Sequence, residues 1–217
     1  MEAFKYCTKE VMHKLLSRDE LRVGTVYGWR KGGGVGEMVQ DVNDGSMDLS
    51  GNLVFYDHAS LNYMIVDSDP VAVDSDGLRH YRNRRVRCED HYAFCVATRY
   101  SAEDHRKWKE VEGYDACYRI KSARLFFRAI SGALRDARFL LSAACLYFDP
   151  AADNNVFTGR FHPGLLKRSD KFGEQYELRA LWEPVDRTSP IEYRDIRVPG
   201  IKRYCEPHAV LPNCGAQ

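Results

Sequence analysis

An α+β chain with a twisted, split and mixed β-sheet and a few helices is the fold class this sequence predicts. Three observations predict it. Short apolar runs with period-two alternation recur along most of the chain, residues 122–138 carry apolar side chains at helical spacing, and a second helical stripe follows the first apolar run. The 217 residues, 44% hydrophobic and 12% aromatic, suffice for a substantial core and contain no long linker, so a single domain over 1–217 is expected.

Residues 4–7 read as a short strand, and Thr8 then stands as an N-cap before a helix striped by Val11, Met12, Leu15 and Leu16. Leu21, Val23, Thr25 and Tyr27 alternate with Arg22, Gly24 and Val26 in a strand that runs into Gly28-Trp29-Arg30. Lys31-Gly32-Gly33-Gly34-Val35-Gly36 is too glycine-rich for a regular element and reads as a loop. Strands are expected at 53–56, 61–66, 84–88 and 92–98, separated by clusters of Asp, Ser, Gly and Pro. In the helix at 122–138, Leu125, Phe126, Ala129, Ile130, Ala133, Leu134 and Ala137 form the face that packs on the sheet. The nearly continuous apolar run at 139–148 predicts a buried strand, and 176–182 another.

Charge and motifs exclude several functions. Lys and Arg number 32 against 31 Asp and Glu, a formal net charge of +1, so any nucleic-acid surface must be local. The N-terminal residues show no signal-peptide pattern and no run is long enough to span a bilayer, which predicts a soluble, cytoplasmic protein without a membrane partner. Seven scattered cysteines without a Cys-x-x-Cys predict reduced thiols. Cys205, His208 and Cys214 leave a tetrahedral zinc site one ligand short, so no metal is expected. Neither phosphate-binding glycine pattern fits residues 28–37, HExxH is absent, and no Ser or Cys sits in a nucleophile elbow. Asp41-Val42-Asn43-Asp44-Gly45 lacks the later Glu of a calcium loop and reads as a turn.

Two constellations point to function. Arg79, Arg82, Arg84, Arg85 and Arg87 crowd together with His80 and Tyr81, the mixture of guanidinium and aromatic groups that contacts phosphates and stacks bases; a solvated, charged hairpin edge is the alternative. In Lys171-Phe172-Gly173-Glu174-Gln175-Tyr176-Glu177-Leu178-Arg179, an extended backbone would project Gln175 and Glu177 to one face and Tyr176, Leu178 and Ala180 to the other. An amide and a carboxylate so paired can grip a polar substrate.

Read in order, several pieces resemble a family of largely uncharacterised bacterial and phage proteins associated with the ADP-ribosyltransferase superfamily. They are Phe4-Lys5-Tyr6-Cys7-Thr8, Leu21 through Arg30, Asp41 with Asp44-Gly45, Tyr92-Ala93-Phe94-Cys95-Val96-Ala97, Tyr118-Arg119-Ile120, and Glu174-Gln175-Tyr176-Glu177-Leu178-Arg179. The resemblance implies an ADP-ribosyltransferase-like fold, NAD as cofactor, Glu177 as the glutamate that stabilises the oxocarbenium-like transition state, and Gln175 as the substrate-facing residue. Lys5, Tyr6, Tyr27 and Arg30 would hold NAD, Lys5 or Tyr6 standing where a His or Arg is typical. The implied function is a toxin or phage-conflict effector that modifies a nucleic acid or protein, with an antitoxin or inhibitor as a further partner. A non-catalytic nucleotide- or protein-binding module on the same fold is the alternative. A metal-dependent nuclease would have only Glu37, Asp41 and Asp44 as local carboxylates, beside a glycine loop.

Overall fold

The computed structural model describes residues 1–28, 46–49, 53–55, 63–73, 79–148, 162–168, 172 and 175–212, with backbone alone for the strands between 46 and 88. In chain order these are β1 (Ala3–Cys7), α1 (Lys9–Arg18), β2 (Glu20–Thr25), β3 (Ser46–Leu49), β4 (Leu53–Phe55), β5 (Tyr63–Val73), β6 (Arg79–Cys88) and β7 (Tyr92–Ala97). Then come α2 (Ala102–Glu112), β8 (Ala116–Ile120), α3 (Ala123–Ala133), β9 (Ala137–Ala144), β10 (Leu146–Phe148) and β11 (Leu166–Arg168). The chain closes with β12 (Glu177–Pro184), β13 (Arg194–Arg197) and β14 (Cys205–Val210).

The helices have local causes. Thr8 caps α1 by accepting the Val11 N–H at 3.3 Å, and Asp19 ends it in a left-handed conformation with φ 57°. Asp19 then ties the turn to the C-terminal region by accepting the Gly200 N–H at 3.0 Å. The sequence reading missed α2, whose signals are both ends: Ser101 accepts the Asp104 N–H at 3.1 Å, and Gly113 stops the helix at φ 72°. α3 stops at Ala133, short of the expected 138, because Leu134 leaves helical geometry and Ala137 already pairs with Pro184 in the sheet. Its buried side is Ala123, Phe126, Phe127 and Ile130, whereas Leu125 is exposed.

Eight strands form the main sheet, and every pairing in it is antiparallel. The expected mixture of directions is confined to one small parallel pair, β10 with β11. The predicted split is real and centres on β7. β12 occupies one edge of β7 along its whole length, from Glu177 opposite Ala97 to Trp182 opposite Tyr92. β1 and β2 must therefore share the other edge: β1 touches it at Ala97, through Phe4, and β2 touches it at Tyr92 and Ala93, through Thr25 and Gly24. Between these contacts β1 and β2 splay apart, leaving a fork along Phe94, Cys95 and Val96. β1 continues the sheet through β8 and β14, and β2 continues it through β13.

α1 and α3 cover one face, burying Leu15, Phe94, Val96, Tyr118, Ile120, Phe126, Phe127, Ile130, Ala180 and Trp182 in the main core. All eight residues of β12 are buried, as expected of an apolar central strand. The run at 139–148 is not one buried strand: β9 lies beyond β12, half-exposed, with Phe139 42% accessible. An outermost strand is covered less than a central one, and hydrophobicity alone does not distinguish them.

β3, β4, β5 and β6 form a separate antiparallel sheet in which β6, the arginine-rich strand, is central, with β5 on one edge and β3 and β4 on the other. It is therefore not the edge of a hairpin. β5 runs through Pro70 to Val73, past the expected end at 66, because register shifts at Ile65/Asp67, Asp67/Asp69 and Pro70/Ala72 absorb turn-like residues into the strand. Cys7, Cys95, Cys117, Cys145 and Cys205 are free thiols. Among the described residues no helix is long and apolar enough to cross a membrane.

Candidate functional site: a cleft at the fork

A cleft of about 570 Å³ opens at the fork, lined by Phe4–Cys7 of β1, Glu10, Val11 and Lys14 of α1, Leu21, Arg22 and Gly24 of β2, and Ala93–Ala97 of β7. Trp108, Tyr114 and Tyr118 extend it on one side, and Lys167, Gln175, Glu177 and Arg179 on another. Register explains the meeting. Residues directly opposite in antiparallel strands share a face, and Phe4 and Glu177 both lie opposite Ala97, so Phe4, Tyr6, Glu177 and Arg179 share one side of the sheet. Lys5 starts on the other side. Its side chain turns into the fork, passing 5.1 Å from the Phe94 ring centre, and donates to the Cys95 carbonyl at 2.9 Å. A lysine thereby satisfies a carbonyl that the divergence of β1 leaves without a strand partner.

Glu177 is the electrostatic centre. Its Oε2 accepts from Lys167 Nζ at 2.6 Å and its Oε1 from Arg179 Nε at 2.7 Å. All three side chains are buried, at 8%, 5% and 0% exposure for Glu177, Lys167 and Arg179. Burial pushes the carboxyl pKa up, but Arg179 and Lys167, together with a hydrogen bond from Cys95, outweigh it and hold Glu177 well below the usual carboxylate range. Burial, with Glu177 alongside, raises Cys95, which stays a protonated donor. Arg179 also donates to the Gly164 carbonyl at 2.6 Å, and Lys167 also donates to Gln175 Oε1 at 2.8 Å while lying over the Phe172 ring. A carboxylate so acidic is no general base near neutrality. It is a fixed negative charge, suited to stabilising a positive charge that develops beside it.

Gln175 and Glu177 are not related by simple strand alternation. Tyr176 has φ 45°, a left-handed conformation unusual for an aromatic residue. Thr98 clasps its carbonyl through N–H at 2.9 Å and Oγ1 at 3.1 Å, and the Arg99 guanidinium stacks on its ring. Gln175 therefore lies outside β12, and Lys167 links it to Glu177.

Lys5, Tyr6, Gln175 and Glu177 thus line one cleft. Tyr27 is not among the residues that line it: it lies past the point where β2 meets β7, packs beside Val26, Ala93, Leu165 and Leu181, and donates its N–H to Asp90 at 2.8 Å. Arg30 lies outside the described residues, as do the glycine loop, Asp41-Val42-Asn43-Asp44-Gly45 and Glu37. Arg79, Arg82, Arg84, Arg85 and Arg87 all fall in β6, where register sets Asp69 opposite Arg82, and Asp48 and Asp67 opposite Arg85.

The sequence reading missed Lys167, Arg179, Trp108 and Tyr114. Arg179 was legible, since it stands two residues beyond Glu177 on an extended strand. Trp108 lies in the unanticipated α2, its ring roughly parallel to those of Tyr6 at 6.1 Å and Tyr114 at 5.6 Å. The Tyr6 hydroxyl accepts the Ser101 N–H at 3.0 Å at the start of α2, and burial pushes its pKa up to about 12. Among the described residues no three His, Cys, Asp or Glu side chains are grouped to hold a metal ion. No protein-family model matches the chain, and neither a curated protein nor a solved structure matches it.

Proposed function

We propose that the forked sheet is an ADP-ribosyltransferase-like fold and that the cleft takes NAD, with Glu177 as the carboxylate that stabilises the ribosyl cation formed as nicotinamide leaves. The observation that carries this reading is the convergence of Lys5, Tyr6, Gln175 and Glu177, from opposite ends of the chain, on one cleft. NAD fits the residues present. The volume, about 570 Å³, falls in the range of small-molecule sites, roughly 300–1,000 Å³. Lys5, Lys14, Arg22 and Lys167 line it for a diphosphate, and Tyr6, Trp108 and Tyr114 offer apolar wall to planar rings. Cleavage of the glycosidic bond sends its electron pair to nicotinamide and leaves positive charge on the ribose. Glu177, ionised and held on both oxygens, meets that charge without reorganising. Gln175 faces the acceptor, a nucleic acid or a protein. The arginines of β6 are the proposed phosphate contacts for a nucleic-acid acceptor, and a toxin or phage-conflict effector acting in the cytoplasm, restrained by an antitoxin or inhibitor, is the corresponding role.

The occupation of both Glu177 oxygens by Lys167 and Arg179 also favours a second reading, a nucleotide-binding module without turnover. Nicotinamide release and acceptor labelling in the presence of cell extract separate the two. Transferase activity in the parent should fall on the order of 100- to 1000-fold in Glu177→Gln, counted per folded molecule. Gln175→Ala should lose transfer more than NAD hydrolysis. A folded parent that neither binds NAD nor releases nicotinamide discards the enzyme; one that binds without release establishes the module.

A further inference from the structure

From the contacts of Lys167 we infer that this residue decides what the cleft accepts at Gln175: a group that accepts hydrogen bonds, such as a carbonyl or phosphoryl oxygen, and not a guanidinium or an amine. The inference rests on the proposed reading only in requiring that the cleft take a ligand beside Gln175. The orientation of a glutamine amide is ordinarily ambiguous, because its oxygen and nitrogen look alike. Lys167 removes the ambiguity. An ammonium has three donors and no acceptor, so the Gln175 atom 2.8 Å from Nζ is the carbonyl oxygen. The ammonium cannot easily swing away, since it is also bound to Glu177 Oε2 at 2.6 Å, lies 4.7 Å from the Phe172 ring centre and belongs to a side chain 5% exposed.

With the oxygen committed to Lys167, the chemistry Gln175 brings to its other side is that of the amide N–H bonds. A guanidinium or ammonium, being all donor, gains nothing there. The carboxylate that would otherwise draw such a cation is already held by Lys167 and Arg179. Lys167 is thus a positioning residue acting through Gln175, supplied by β11.

The test follows the Gln175 side-chain NH2 signal by nuclear magnetic resonance in the full chain, with ADP-ribose as the acceptor-rich probe and agmatine as the cationic, donor-only one. ADP-ribose should shift the signal and agmatine should leave it in place. In Lys167→Met the amide is released to turn its oxygen outward, so agmatine should now shift it and ADP-ribose affinity should fall on the order of tenfold, about 1.4 kcal/mol. Lys167→Arg keeps a donor and should restore the parental choice. A general packing defect would weaken both probes without exchanging their order. An agmatine shift in the parent, silence toward both probes, or unchanged selectivity in a folded Lys167→Met overturns the inference. If Lys167→Met does not fold, the parent and the Arg variant decide alone. Nicotinamide release is not part of this readout: an ADP-ribose shift without turnover leaves the inference standing and the transferase fallen, and turnover that labels agmatine does the reverse.

Discussion

At the scale of single residues the structure changes what Glu177 should do when altered. As part of an exposed strand edge, its replacement by Gln would leave the fold intact. In the structure it neutralises two buried cations, and its removal leaves Lys167 and Arg179 facing an amide. Breaking a buried ion pair by deleting one partner typically costs about 3–5 kcal/mol. Glu177→Gln should therefore lower the urea midpoint by an amount of that order, and activity comparisons need the folded fraction measured alongside. The pH dependence has a definite sign. A carboxyl whose folded pKa lies below its unfolded value contributes stability that is present above the unfolded value, near 4.5, and is lost as pH falls through the folded one. The gap between parent and variant should be full at neutral pH and shrink only in strong acid; a gap that closes by pH 6 would mean that the ion pairs do not form. The Gln-x-Glu-x-Arg spacing made Glu177 and Arg179 readable. Lys167 was not, because it reaches Glu177 through β10 and β11, whose parallel pairing has no local signature.

At the scale of elements, strands were legible wherever alternation reported a half-buried face, as in β1, β2 and β7, and boundaries failed where tertiary pairing overrode local preference. α3 loses its last turn to the ladder between β9 and β12, and α2 escaped notice because few of its residues are buried. The junction of β7, β12 and the short 3-10 turn at Pro163–Leu165 holds a titrating pair that no pattern announced. His91 donates Nδ1–H to the Glu89 carbonyl, and His162 Nδ1 accepts the Gly164 N–H, which fixes a neutral tautomer in each. Their rings meet edge-on at 5.0 Å, and among the described residues each Nε2 is buried without a hydrogen-bond partner. Burial, then repulsion from His91, drives His162 down from 6.5 to about 4. The folded state thus refuses a proton that the unfolded chain takes up below about 6.5, so stability falls with pH from there to about 4, by about 3 kcal/mol from His162. His162→Phe should flatten that limb in urea titrations at pH 4–6.5. Equal slopes in parent and variant would show that His162 protonates freely in the folded protein.

At the scale of the whole molecule, the α+β class and the split were readable from alternating runs and helical stripes, while the site of the split was not, because it depends on β12 covering one full edge of β7 from 80 residues further along, as the pairing of Glu177 with Ala97 records. That topology also makes the stretch 29–88 an excursion. Val26 donates to the His91 carbonyl at 3.0 Å and Tyr27 to Asp90 at 2.8 Å, continuing the pairing of Gly24 and Thr25 with Ala93 and Tyr92. β2 and β7 are thus the two arms of a hairpin whose tip has been replaced by β3–β6. Joining Gly28 to Glu89 through Asn-Gly, a dipeptide suited to a two-residue hairpin turn, should leave the eight-stranded sheet folded. Every residue lining the cleft lies outside 29–88, so ADP-ribose binding and any nicotinamide release should survive the excision. Nucleic-acid retention should not, since Arg79, Arg82, Arg84, Arg85 and Arg87 leave with β6, and the dependence of any residual binding on salt should flatten. Some loss of melting temperature is expected, because β3 and β6 approach the turn that carries the buried Leu165. A shortened chain that folds and still retains nucleic acid with the parental salt slope would move the phosphate contacts off β6, and one that fails to fold would make the four-stranded sheet a structural support of the fork.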